Sequence, residues 1–143
     1  MITVVETVQI AHPAEGVFAF IAEPTNRPRW DETVVSEELT SDPPLRAGST
    51  LRSQLRAMGR EVEFHWRVTA YEPPRLMSFV STEGPLETSL VLQLAASEQT
   101  TLLTATIEAT PSGMMRLFEP VIGEGVRNNL ATGLERMKAL LEA

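Results

Sequence analysis

The chain has 143 residues, with twelve basic and nineteen acidic side chains and a net charge of −7, so nucleic-acid phosphates and anionic lipid surfaces repel it. Hydrophobic residues at 43% and charged residues at 22% describe one ordinary globular domain over residues 1–143, with enough apolar material for a core. Cysteine is absent, which excludes disulfides, thiolate catalysis and cysteine-held metals. No apolar run is long enough to span a bilayer, and no basic start leads into an apolar stretch, so the cytoplasm is the expected compartment.

The opening ITVVETVQI reads as a strand, with Val4, Val8 and Ile10 on one face and Glu6 among them. Pro13 suits the first position of a helix, and Val17, Phe18, Phe20 and Ile21 continue at helical spacing to Ala22. Pro24 to Trp30 is a short, turn-like segment with room for one helical turn. Val34 to Thr40 is a weak strand, followed by the proline-stiffened loop DPPLRAG.

The middle of the chain alternates most cleanly. Val62, Phe64, Trp66, Val68 and Ala70 are apolar while Glu61, Glu63, His65, Arg67 and Thr69 are polar, the period of a strand with one buried face. Leu51, Ser53 and Leu55 alternate with Arg52, Gln54 and Arg56 in the preceding strand. A turn at Met58–Gly59 pairs Leu55 with Val62, Ser53 with Phe64 and Leu51 with Trp66. It also sets Arg56 beside Glu61 and Arg52 beside His65 on the other face, and a slip of one residue would bury those charges. Further strands are expected over Leu76–Thr82, Leu86–Leu94 and Thr101–Ala109, joined by short turns into an antiparallel meander.

Ser112 is positioned to cap a closing helix that ends near Leu141. Its stripe runs Met115, Phe118, Ile122, Val126, Leu130, Leu134, Met137 and Leu141, with Pro120 expected to kink or divide it. Gly123 and Gly133 fall near the centre of the stripe, where a glycine leaves space or allows a close backbone approach. A strand, short helices, a run of strands and a long closing helix form the plan of a helix-grip domain. The expected fold is therefore α+β: a curved antiparallel sheet around the C-terminal helix, with two short helices between the first two strands.

The segments I-A-H-P-A-E-G-V-F-A-F-I, E-P-T-N-R-P-R-W, Y-E-P-P-R-L and L-E-R-M-K-A-L-L-E carry a resemblance along the whole chain. The chain resembles the SRPBCC superfamily (START/Bet v-like helix-grip fold), in its polyketide cyclase/dehydrase-like branch. The resemblance implies the fold; the superfamily hosts binders, lipid carriers, cyclases and hydrolases on that frame.

His12 and His65 are the whole stock of imidazoles, and neither has a second imidazole or a carboxylate at ligand spacing, so no metal and no cofactor are expected. Glu6 shares the inward face of the first strand and is a candidate acid or base, against the plainer reading of a carboxylate near a frayed strand end. Glu119 and Arg127 flank the helix stripe and are further candidates for a polar ligand contact, against the plainer reading of solvated charges.

Alternation and the stripe together name an apolar lining. The sheet offers Phe64, Trp66, Phe79, Leu90, Leu92, Ala105 and Ile107, the helix offers Phe118, Ile122 and Val126, and Trp30 belongs near the rim. The same residues could simply fill a core; a strongly curved sheet gripping one helix favours a space that they rim. The first functional reading is a binder of a small hydrophobic or aromatic molecule, polyketide-, lipid- or sterol-like. The second is a metal-independent polyketide cyclase/dehydratase-type enzyme working by orientation in the same space. A third is a protein-interaction module, against which the polar outer strand faces show no large apolar patch. The composition argues against nucleic-acid partners, and the sequence is compatible with a homo-oligomer.

Overall fold

The computed structural model describes residues 1–57 and 59–143, so the expected turn at Met58 lies outside the described residues. Seven antiparallel strands form one sheet in the order β1-β7-β6-β5-β4-β3-β2. They are β1 (Ile2–Ile10), β2 (Val34–Leu39), β3 (Thr50–Ala57), β4 (Arg60–Glu72), β5 (Leu76–Glu83), β6 (Glu87–Ser97) and β7 (Thr100–Thr110). Strands β2 to β7 follow one another as a meander, and β1 completes the sheet beside β7. Helices α1 (Ala14–Ala22) and α2 (Arg27–Trp30) lie between β1 and β2, separated by the 3-10 turn Pro24–Asn26, and α3 (Glu119–Glu142) closes the chain. This is a helix-grip fold.

The β3–β4 register is the one that the two alternating faces dictate, with Leu51 opposite Trp66, Ser53 opposite Phe64 and Leu55 opposite Val62. On the outer face Gln54 donates to Glu63 across 2.7 Å, and Arg52 pairs with Glu38 of β2. Bulges interrupt β2–β3 pairing between Val34 and Ser36 and β4–β5 pairing in two places, which bends the sheet around α3.

Two boundaries, at Pro13 and Ser112, differ from expectation, and the one at Pro120 does not. Pro13 is extended and stands just outside α1, where its missing N–H costs nothing. Ser112 makes no side-chain capping bond; its carbonyl instead accepts from Met115 in a 3-10 segment, Gly113–Phe118. Pro120 then falls in the first turn of α3, so it divides the two helical pieces.

The core lies between the concave face of the sheet and α3. Leu130, Leu134 and Met137 are buried against Ile10, Met77, Leu92 and Leu103. Helix α3 runs along β1, tied at one end by Glu119 to the amino terminus of Met1 (2.9 Å). At the other end Glu142 accepts from the Ala11 amide (2.7 Å) and Lys138 donates to the Gln9 carbonyl (2.7 Å). Gly133 provides the close approach: a Cβ there would stand 3.0 Å from the Trp30 carbonyl oxygen and 3.2 Å from its ring. No helix among the described residues is long and apolar enough to cross a membrane.

Candidate functional site

The inner face is buried unevenly. Val68, Met77, Leu92, Leu103, Leu134 and Met137 are sealed at one end of the grip. Toward the start of α3, Leu55, Val62, Phe79, Leu86, Ile107, Ile122 and Val126 pack against this core yet stay half-buried. Along α3 burial falls from Leu130, Leu134 and Met137 to Ile122 and Val126, so the helix is held more loosely at its start, while Ile21, Tyr71 and Leu141 are half-buried elsewhere around the core. Phe64 and Trp66 stack at 5.2 Å between centroids, with the backbone of Gly84 lying against the Phe64 ring.

The structure places the expected lining residues as follows. Phe64, Trp66, Leu90, Leu92 and Ala105 are buried on the concave face, and Phe79, Ile107, Ile122 and Val126 are half-buried. Trp30 does not sit at a rim: it is buried under α3, because Gly133 lets the helix descend onto it. Phe118 is 56% exposed, because the 3-10 winding before Pro120 takes it out of phase with the α3 stripe. With Met114, Leu117 and Val121 it forms an exposed apolar stripe that the polar outer strand faces did not foreshadow. Two surface hollows, of about 650 and 390 Å³, lie outside the grip, the first beside Arg75, Gln93 and Leu102 and the second beside Met1 and Arg116.

The candidate polar residues separate. Glu6 is half-buried on the concave face opposite Ala105 and makes no ion pair among the described residues. Glu119 is occupied by the amino terminus, and Arg127 faces solvent. His65 does have carboxylates near it, with Glu63 at 2.6 Å and Glu83 at 3.8 Å, because alternation puts Glu63 on its own face. No three potential ligands converge at metal-holding distance among the described residues.

The strongest polar constellation is one that sequence reasoning missed. Arg27 of α2 donates from Nη2 to Oδ2 of Asp31 (3.0 Å), and its guanidinium lies 4.8 Å from the Trp30 ring centroid. Asp31 Oδ1 accepts from the Thr33 amide (3.0 Å), the Thr33 hydroxyl (2.7 Å) and Nδ2 of Asn129 on α3 (3.0 Å). Glu37 of β2 stands 3.8 Å from Arg27 Nη1 and accepts at Oε1 from the Ser53 hydroxyl (2.8 Å). Ser53 accepts in turn from the Trp66 indole (3.1 Å). Arg27 Nε is buried without a hydrogen-bond partner among the described residues.

One cation therefore serves the buried Asp31 and the largely buried Glu37, and they share it unequally. Burial pushes Asp31 upward, but the Arg27 charge and the donors from Asn129 and Thr33 outweigh it and hold Asp31 below the usual carboxylate range. For Glu37 burial wins: Arg27 is farther away, Ser53 is a single donor and the Asp31 charge opposes ionisation, so its carboxyl titrates above that range. Arg27, despite its burial, is held charged by both carboxylates. The available signal was Ser53, a hydroxyl between Leu51 and Leu55 on an apolar face; its partner on β2 was hidden by the bulge at Val34–Ser36.

A family model described as "Polyketide cyclase / dehydrase and lipid transport" matches residues 1–142. The chain belongs to that family. In fold it is similar to a protein of Thermus thermophilus, with a TM-score of 0.83 at 16% identity over 96% of this chain and 94% of that one. It is also similar to the Zhui aromatase/cyclase of a Streptomyces species, with a TM-score of 0.80 at 15% identity over 98% of this chain and 93% of that one. A START superfamily protein of Mycobacterium smegmatis aligns with a TM-score of 0.76 at 19% identity over 98% of this chain and 99% of that one. No curated protein sequence matches the chain significantly.

Proposed function

We propose that the grip takes up a small hydrophobic or aromatic molecule, polyketide-, lipid- or sterol-like, between the concave face of the sheet and α3. The observation that carries this is the fall of burial along α3, from Leu130, Leu134 and Met137 to Ile122 and Val126, facing a sheet on which Val62, Phe79 and Ile107 stay half-buried. Side chains left half-buried are cheap to displace and gain by covering an apolar guest, at about 25 cal/mol per Å² removed from water. Membership of a cyclase and lipid-transport family supports the same reading. Native mass spectrometry of protein purified from its producing cells tests it: an apolar adduct supports uptake, and an empty protein that also refuses added apolar compounds removes it.

A polyketide cyclase/dehydratase-type activity is the second reading. It draws on the largely buried Glu37, whose raised proton affinity on the concave face suits proton exchange with an oxygen-bearing chain. Orientation of a flexible chain in a dry space would supply most of the acceleration, with no metal required.

A further inference from the structure

We propose that Glu37 is the residue by which the grip recognises the oxygen function of its guest, selecting ketones and alcohols of otherwise apolar build over plain hydrocarbons. This rests on the grip being the binding site and adds what it selects.

The hydrogen-bond directions point this way. An indole N–H can only donate, so Trp66 gives its hydrogen to Ser53 Oγ, and the Ser53 hydrogen is directed to Glu37 Oε1. Oε1 is thereby committed as an acceptor, and Oε2 is left as the atom that carries a proton when Glu37 is neutral. Cross-strand pairing with Ser53 places Glu37 on the concave face, in the same row of strand neighbours as Phe64. When neutral, that carboxyl is a donor set between Arg27 and the apolar row of Phe64, and it is best answered by an acceptor that arrives with the guest.

The charged groups facing Glu37 are Arg27 on α2 and Asp31 just beyond it. Strands β3 and β4 present the Ser53 hydroxyl and the Trp66 indole, and α3 presents Asn129, which is spent on Asp31. Arg27 lies closer to Asp31, at 3.0 Å against 3.8 Å, so Glu37 is the member that keeps its proton as pH rises through the usual carboxylate range. The donor function is present at low pH and lost as pH rises through the raised value.

The test compares 2-acetylnaphthalene with 2-ethylnaphthalene, two probes of similar shape, by calorimetric titration across a pH series. Wild type should prefer the ketone by about tenfold at low pH, the worth of one well-made hydrogen bond, and lose that preference as pH rises. Glu37→Gln keeps an N–H donor and should retain a preference that no longer varies with pH. Glu37→Leu should bind both probes alike. If Glu37→Leu fails to fold, the wild-type and Glu37→Gln pH profiles decide the matter by themselves. Equal binding of the two probes to wild type at every pH would overturn the role of Glu37 while leaving the grip as a binding site. Failure of wild type to bind either probe would overturn the grip as a binding site, and this proposal with it.

Discussion

Asn129 of α3 donates to Asp31 across 3.0 Å, and this bond fastens the closing helix to the segment that follows α2, nearly a hundred positions earlier in the chain. Asp31 is only 5% exposed, and Arg27, Thr33 and Asn129 together saturate it. Replacing it with asparagine leaves Arg27 to the more distant Glu37 alone. Asp31→Asn should therefore cost about 1.5–3 kcal/mol in denaturant unfolding at neutral pH, the usual worth of a hydrogen bond to a charged group. Because the folded carboxyl titrates below its unfolded value, that stability is present above the unfolded value and lost as pH falls through the folded one. The gap between wild type and variant should narrow over that acid range.

The glycines of α3 make opposite predictions. A Cβ at Gly125 meets nothing within 4 Å, so Gly125→Ala should stabilise by about 1 kcal/mol through helix propensity. At Gly133 the nearest obstacle is the Trp30 backbone carbonyl, which cannot swing aside. Gly133→Ala should cost about 1–3 kcal/mol, as overpacking does. Thermal unfolding of the two variants should show melting temperatures displaced in opposite directions.

Phe118 provides a check on the division at Pro120. At 56% exposure it contributes little to the core, so Phe118→Ser should leave stability within about 0.5 kcal/mol. Leu134→Ala, one residue of the same sequence stripe but fully buried, should cost about 2–5 kcal/mol. Equal losses would mean that Phe118 packs inward.

The side-chain stock predicts metal independence. With no cysteine and two separated histidines, chelator treatment should leave the melting temperature unchanged. A stoichiometric transition metal in untagged protein would overturn this.

The sheet was legible in the sequence because two faces of β3 and β4 carried independent information. The apolar side demanded burial, the charged side demanded partners, and one register met both. The order of elements was legible for a similar reason, since most boundaries carry a proline or glycine, as at Pro13, Pro24, Gly59, Pro73 and Gly84, and the polar turn after Ser97 marks another. The polar cluster was not. Glu37 and Asp31 sit in a stretch where alternation is weak, and the long loop after β2 leaves its pairing with β3 undetermined by turn length. The bulge then reverses the phase, burying Val34 and exposing Val35. Ser112 misled for another reason: a capping residue was read from type alone, while the chain beyond it winds as a 3-10 helix.

The most direct test of the account is the melting temperature of wild type and Val126→Trp with and without 2-ethylnaphthalene. Val126 is half-buried toward the loosely held start of α3, where an indole would occupy the space a guest needs. Uptake between sheet and helix predicts that the hydrocarbon raises the wild-type melting temperature, by mass action on the folded state, and leaves that of the folded variant unmoved. An equal rise in both proteins, or none in wild type, would contradict it.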